Sequence, residues 1–230
     1  YILASANFPG LQKLVIDDKS YIDGGVYENL PLSMLVDRGY KDIIAVRTKN
    51  SKLKTNYPDV NVKIISPSEK PSTFLNFTND AIKKNLKMGY LDSIKGIKEL
   101  KGVLTYVSGF DYETFGRQLL EMPRSFFEKM GETLAVKLFE SKIVNLIGIT
   151  SKLAKLLKID NYGSVGQVFL ALTEAVGLKY GLDRLQVLTF PQLVREAVKL
   201  APMDLPKKQK ENLMLDSFLT FADYYLRENR

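Results

Sequence analysis

The chain has 230 residues, 45% of them hydrophobic, and a formal net charge of +7. This composition is sufficient for a buried core and argues against global disorder. The sequence contains no cysteine and no histidine. Their absence excludes disulfides, thiolate catalysis, Cys- or His-dependent metal sites, and a Ser-His-Asp triad built from these residues alone. No stretch approaches the roughly 20 apolar residues that a membrane span requires.

The basic balance suits a lysine-rich solvated surface or contact with an anionic membrane. The sequence has no RNP-like, zinc-finger or glycine-rich phosphate motif, so no nucleic-acid partner is expected. The lack of cysteine slightly favours a cytoplasmic location, and secretion stays open. Because the chain starts at Tyr1 inside an ordered motif, we expect it to continue a longer protein.

The first third of the chain predicts a mostly parallel α/β sheet. Two short β-prone pieces, Lys13–Ile16 and Tyr21–Ile22, flank the turn-like cluster 17–20. Pro31 suits the first turn of a helix that runs to about Arg38, where Gly39 ends it. Two β-branched apolar runs then follow, as expected of buried parallel strands: Asp42–Arg47 and Val60–Ile65.

The remainder predicts helices. An approximate helical stripe spans 72–101, and the interior Gly89 indicates close packing or a bend. Its members are Ile82, Leu86, Ile94, Ile97 and Leu100. From Asp111 onward the pattern is all-helical, and cap or proline signals mark the helix starts: Asp111, Pro123, Ser164, Thr189–Pro191 and Pro206. We therefore expect an α/β portion over 1–105 and an all-helical module over 106–230.

One segment carries chemistry: Ser20-Tyr-Ile-Asp-Gly-Gly-Val-Tyr-Glu-Asn-Leu-Pro31. It sets the carboxylate of Asp23 at a strand end beside two glycines, which permit a sharp turn and a close neighbour. Such a carboxylate can accept the proton of a nucleophile. Asp-Gly alone is more typical of a plain β-turn. The flanking elements favour the catalytic interpretation.

Those flanking elements resemble the patatin-like phospholipase family in order and spacing. They are Ala-Ser-x-x-x-Pro at 4–9, Tyr-Ile-Asp-Gly-Gly-Val at 21–26, Asn-Leu-Pro-Leu at 29–32 and Gly-Tyr-x-x-Ile-Ile-Ala-Val at 39–46. The resemblance is specific over 1–47 and weaker to about residue 100. It implies that this chain is the C-terminal part of a patatin-like sheet with flanking helices.

The resemblance also implies roles for single residues. Asp23 looks like the aspartate of a Ser-Asp dyad, Gly24 and Gly25 like its motif glycines, and Asn29 and Pro31, with Tyr21, like scaffold around it. A dyad needs no histidine, so the composition permits it. The implied activity is phospholipase A-like ester hydrolysis of a phospholipid or other acyl lipid, with no metal or organic cofactor.

This sequence departs from the family in one respect that decides activity. It contains neither a Gly-x-Ser-x-Gly elbow nor a Gly-Gly-x-Arg loop. The nucleophile and oxyanion hole are therefore expected outside these residues, and the chain alone should be inactive. The alternative is a catalytically incomplete scaffold that binds lipid or a partner. An open half-sheet would be covered by a missing N-terminal part or another copy.

Two further patterns stay open between function and packing. Lys142–Ile159 is an apolar helix with Lys152, Lys155 and Lys158, typical of an ordinary amphipathic core helix or of an interfacial helix on lipid. Aromatic residues at Phe110, Tyr112 and Phe115, with Phe126 and Phe127, indicate a packed core or the wall of an acyl tunnel.

Overall fold

A computed structural model describes residues 1–7, 10, 14–49, 57–72, 78–202 and 210–229. The chain divides into two compact units, Tyr1–Phe77 and Thr78–Arg230. The expected Phe8, Pro9 and Lys13 of the first unit, and the predicted helix start at Pro206, lie outside the described residues. The fold is mixed α/β and mainly helical, with short sheets.

The first unit holds a hairpin and a parallel strand pair. The hairpin turns at Asp17 and Asp18, which both adopt positive φ, 49° and 58°. Aspartate tolerates this region better than most residues, which explains the tight two-residue turn. The elements are α1 (Ile2–Ser5), β1 (Leu14–Ile16), β2 (Lys19–Tyr21), a 3₁₀ turn (Gly24–Val26), α2 (Leu32–Val36), β3 (Asp42–Val46) and β4 (Asn61–Ile65).

The parallel pair β3–β4 has one well-covered face. Ile43 and Ala45 of β3 are buried and cluster with Leu32 of α2. On the opposite face of β3, Ile44 is 62% and Val46 is 66% exposed. Parallel strands normally bury both faces. The apolar Ile-Ile-Ala-Val run of β3 therefore has more hydrophobic surface than the first unit covers.

The second unit is a helical body that also contains two short strands. Strands β5 and β6 pair in parallel, with Tyr106 opposite Val187. The prediction of an all-helical module from Asp111 onward is therefore wrong at 187–189, where three residues pair with a strand distant in sequence. The elements are α3 (Asn79–Lys98), β5 (Tyr106–Ser108), α4 (Tyr112–Glu121), α5 (Arg124–Leu134), α6 (Lys142–Leu157), α7 (Val165–Lys179), β6 (Val187–Thr189), α8 (Phe190–Leu200) and α9 (Lys210–Glu228).

Three predicted helix starts carry side-chain caps. Asp111 accepts from the amide of Thr114 at 2.7 Å, and Ser164 accepts from that of Gln167 at 3.2 Å. Thr189 and Gln192 form a reciprocal capping box at the start of α8. These contacts satisfy backbone amides that the first helical turn leaves without partners.

Aromatic side chains fill the centre of the second unit. Phe115 lies 5.0 Å from Phe190 and 6.2 Å from Phe169 between ring centroids, and Phe221 stacks on Tyr225 at 5.3 Å. The side chains of the predicted aromatic stripe are buried in the same core, apart from the half-buried Tyr112. This packing supports the core interpretation of the stripe over an acyl tunnel.

Helix α3 differs from its prediction. Three members of the predicted stripe are exposed, by 41% at Ile82, 69% at Leu86 and 59% at Ile97, whereas Met88 and Leu91 are buried. Gly89 has open space where a Cβ would stand, so no close packing requires it. Because Met88 and Leu91 cluster with Tyr106 and Leu185, residues 78–105 belong to the second unit. The predicted boundary between the α/β portion and the helical module, at 105/106, therefore falls inside that unit.

Within the described ranges, no helix is long and apolar enough to cross a membrane.

Candidate functional site

Asp23 lies between strand β2 and the 3₁₀ turn. Its Oδ1 accepts a hydrogen bond from the amide of Gly25 at 2.7 Å, so the carboxylate caps the turn that follows it. The side chain is half-buried and keeps an open side. A carboxylate held by one backbone donor retains lone pairs for a second donor.

Asn7 joins the Ala-Ser element to the Asp-Gly-Gly element directly through two hydrogen bonds. The amide of Asp23 donates to the carbonyl of Asn7 at 2.8 Å. The Nδ2 of Asn7 donates to the carbonyl of Tyr21 at 3.0 Å. The segment after α1 is thereby fixed against the end of β2, with Ala4 fully buried.

The two motif glycines have different surroundings. A Cβ at Gly25 would lie 3.0 Å from Oδ1 of Asp23 and 3.5 Å from Oδ1 of Asn29. A Cβ at Gly24 would meet nothing within 4 Å. The structure therefore brings Gly25, Asn29 and Asp23 together, and it leaves Gly24 beside open space.

The residues after the motif form the predicted helix in shortened form. Pro31 is the N-cap of α2, which ends at Val36, and Gly39 follows with φ +84°. Glu28 accepts a hydrogen bond from the hydroxyl of Ser33 at 2.6 Å. This contact ties the loop to the first turn of α2.

Ser5 and Ser164 have structural roles. The Ser5 hydroxyl donates to the carbonyl of Ile2 at 2.8 Å, within its own helical turn. The Ser164 hydroxyl caps α7. Among the hydrogen bonds of the described residues, that from Gly25 is the one that reaches the Asp23 carboxylate.

A buried carboxylate in the second unit was missed by sequence reasoning. Glu174, on α7, is 2% exposed. Its Oε1 accepts from the amide and the hydroxyl of Thr105 at 2.8 and 2.7 Å and from the amide of Leu104 at 3.1 Å; Oε2 accepts from the amide of Val103 at 3.1 Å. Its sequence signal is a lone charge in the apolar run 168–176. The contacts make Glu174 a clamp on the loop before β5.

Charged neighbours surround this clamp. Burial lowers the pKa of Lys95, while Glu174 and Asp92 oppose that shift and Arg184 adds to it. The Nζ of Lys95 donates to the carbonyls of Val103 and Thr105, both at 3.4 Å. Because all but one of these hydrogen bonds are made with backbone groups of the loop, we assign this cluster a structural role.

The lysine-bearing helix is confirmed as α6. It buries Leu146, Ile149 and Leu153 in the core, as an ordinary amphipathic helix does. Its first half nevertheless leaves Ile143 59% and Ile147 55% exposed. The core interpretation therefore accounts for one face of α6, and the outer face remains to be explained.

No family model, curated protein or solved structure matches the chain. The class that the fold defines is thus a mixed α/β protein with a small parallel sheet and a helical body. Any function must be argued from the chemistry of its own residues.

Proposed function

We propose that this chain supplies the base of a Ser-Asp dyad in a patatin-like lipid acyl hydrolase. The observation that carries the proposal is the joining of two motif elements at Asp23. Asn7, from the Ala-Ser element, bonds both the amide of Asp23 and the carbonyl of Tyr21. Those contacts fix a partly open carboxylate at a strand end, which is the position a general base requires.

The chemistry assigns one step to this chain. Asp23 takes the proton of the serine hydroxyl as the serine oxygen attacks the ester carbonyl. The alcohol leaves with a proton, and water then releases the fatty acid from the acyl-enzyme. Backbone amides outside these residues stabilise the oxyanion. The exposed outer face of β3 supports the proposal, because parallel strands normally bury both faces and a larger catalytic domain would supply a layer that covers this one.

The test compares two aspartate variants in the protein with its native upstream segment. Asp23→Asn keeps the Oδ1 acceptor for Gly25 but removes the base. We expect phospholipid hydrolysis to fall by about 10²–10⁴-fold, the usual contribution of a general base. Labelling by a fluorophosphonate, which reports an activated serine, should fall in parallel.

Asp18→Asn is the matched control. Asp18 lies in the hairpin turn with φ 58°, a conformation that asparagine adopts readily. It should leave hydrolysis and labelling unchanged. Near-normal turnover of a folded Asp23→Asn protein contradicts the dyad. The 230-residue chain alone should not cleave a short-chain ester, and measurable cleavage would show that the nucleophile lies within it. A full-length protein without any fluorophosphonate-reactive serine would favour the binding scaffold.

A further inference from the structure

Helices α4 and α6 present an apolar surface on the second unit. We define the α4–α6 surface by its large exposed side chains and the groove beside them. The exposed fractions are 51% for Phe139, 59% for Ile143, 46% for Val144 and 55% for Ile147. Contiguous exposed aliphatic residues of this kind mark an interaction site more often than they mark a solvated surface.

The groove lies between the two helices. It encloses about 330 Å³ and is lined by Gly116 and Leu120 of α4, Ile143 and Ile147 of α6, and Val165 of α7. The lack of a side chain at Gly116 leaves open space there, with nothing within 4 Å of its Cβ position.

The exposed side of α6 becomes cationic toward its C-terminal end. Four-residue steps lead from Ile143 through Ile147 and Ser151 to Lys155, and each step turns about 40° around the helix, so Lys155 lies about 80° from Ile147. Lys152 lies about 80° from Val144 in the same sense. Lys152, Lys155 and Lys158 are exposed and form no ion pair with the described residues. Lys155 begins about 12 Å along the helix from Ile147.

Acidic groups do not cancel this charge. Glu113 lines the groove beside Arg117. Glu140 is exposed near Phe139, over whose ring Lys137 lies at 5.7 Å. Each of these carboxylates has a cation close in sequence. At the lysine end of α6, the exposed Asp160 follows Lys158 by two residues, and the three lysines there outnumber this carboxylate.

We propose that the α4–α6 surface docks on an anionic lipid bilayer. The aliphatic residues enter the boundary between headgroups and acyl chains, and the three lysines meet anionic headgroups. Charge complementarity selects this occupant. An apolar patch beside three lysines that form no ion pair with the described residues matches a surface that is apolar inside and anionic outside. The proposal does not depend on the Asp23 dyad, because binding requires no catalysis.

The test measures co-sedimentation of the 230-residue chain with vesicles of phosphatidylcholine alone or with added phosphatidylserine. We expect binding to the mixed vesicles that weakens as salt is raised. Ile143→Ser/Ile147→Ser should reduce partitioning at least about tenfold, because two aliphatic side chains lose their burial. Lys152→Glu/Lys155→Glu/Lys158→Glu should reduce it by about 100-fold, from roughly fivefold per lysine.

Two control variants carry the same kinds of substitution, two aliphatic residues to serine or three lysines to glutamate, at sites outside α6. Leu86→Ser/Ile97→Ser alters side chains of α3 that are 69% and 59% exposed, and Lys19→Glu/Lys41→Glu/Lys63→Glu alters net charge equally in the first unit. Both should bind nearly as the parent chain does. The proposal is overturned if the α6 variants bind as well as the parent chain does. It is also overturned if only the control variants lose binding, or if the parent chain binds neither kind of vesicle. Loss of vesicle hydrolysis in the full-length α6 variants, with soluble-ester hydrolysis retained, separates it from failure of the dyad.

Discussion

Gly24 and Gly25 occupy adjacent positions but face different constraints. Gly25 is crowded by the carboxylate of Asp23, whereas a Cβ at Gly24 would meet no atom within 4 Å beyond its chain neighbours. The proposed dyad therefore makes Gly25 the more sensitive residue for hydrolysis, because a methyl group there displaces the Asp23 carboxylate.

We therefore predict opposite outcomes for two alanine variants of the full-length protein. Gly24→Ala should leave both unfolding and ester hydrolysis nearly unchanged, since the space at its Cβ position is open. Gly25→Ala should reduce ester hydrolysis at least about tenfold, because a Cβ 3.0 Å from Oδ1 of Asp23 displaces the proposed base. Hydrolysis rates and urea unfolding of both variants check this. A folded Gly25→Ala protein with unchanged hydrolysis contradicts the catalytic role.

Sequence reasoning at the residue scale identified Asp23 and its neighbours because a motif is a local property. It did not identify the bonds from Asn7, since a contact between residues 7 and 23 depends on how the hairpin folds back. Glu174 was missed for a related reason. Its four donors come from the loop about seventy residues earlier, and the sequence around Glu174 does not indicate them.

At the scale of elements, the loop before β5 is held by Glu174 and by one glycine. Gly102 has φ +95°, and a Cβ there would lie 2.6 Å from Oε1 of Glu174 and 2.8 Å from the carbonyl oxygen of Thr105. Gly181 has the same φ of +95° but open space around it. Comparing alanine variants at Gly102 and Gly181 separates the free-energy cost of the backbone conformation from that of displacing the buried carboxylate.

Gly102→Ala is expected to destabilise the protein much more than Gly181→Ala. The left-handed backbone costs each variant about 1–2 kcal/mol. Gly102→Ala must also disturb hydrogen bonds to a buried carboxylate, which adds about 1–3 kcal/mol. Urea unfolding followed by circular dichroism gives both values. Equal free energies of unfolding for the two variants would mean that the Glu174 clamp contributes little.

Some elements are determined by residues close in sequence, and others by pairing or packing with elements distant in sequence. Caps at Asp111, Ser164 and Thr189 were predictable because each satisfies amides three residues away. Strand β6 was not, since three residues become a strand only by pairing with β5. For α3, periodicity shows that Ile82 and Leu86 share a face, but it does not show whether another element covers that face.

For the molecule as a whole, the two units differ in how much apolar surface they bury. The second unit has a continuous core of fully buried aromatic and aliphatic residues, including Phe126, Phe169 and Phe221. The described core of the first unit is a small cluster around Leu32, Ile43 and Ala45. A domain's stability is a small difference between large terms, so a small core rarely offsets the conformational entropy of its chain.

We predict that residues 78–230 fold when expressed without the first unit, and that residues 1–77 alone do not. The fragment 78–230 should unfold cooperatively in urea at a midpoint close to that of the second unit in the full 230-residue chain, because its core is internal. The fragment 1–77 should show no cooperative transition, since its buried cluster is small and Ile44 and Val46 of β3 stay more than half exposed. Circular dichroism and tyrosine fluorescence, which no tryptophan obscures in this sequence, measure the unfolding of both fragments. A cooperative transition in isolated 1–77 would mean that its sheet needs no further covering layer, and the exposed face of β3 would then no longer support a larger catalytic domain.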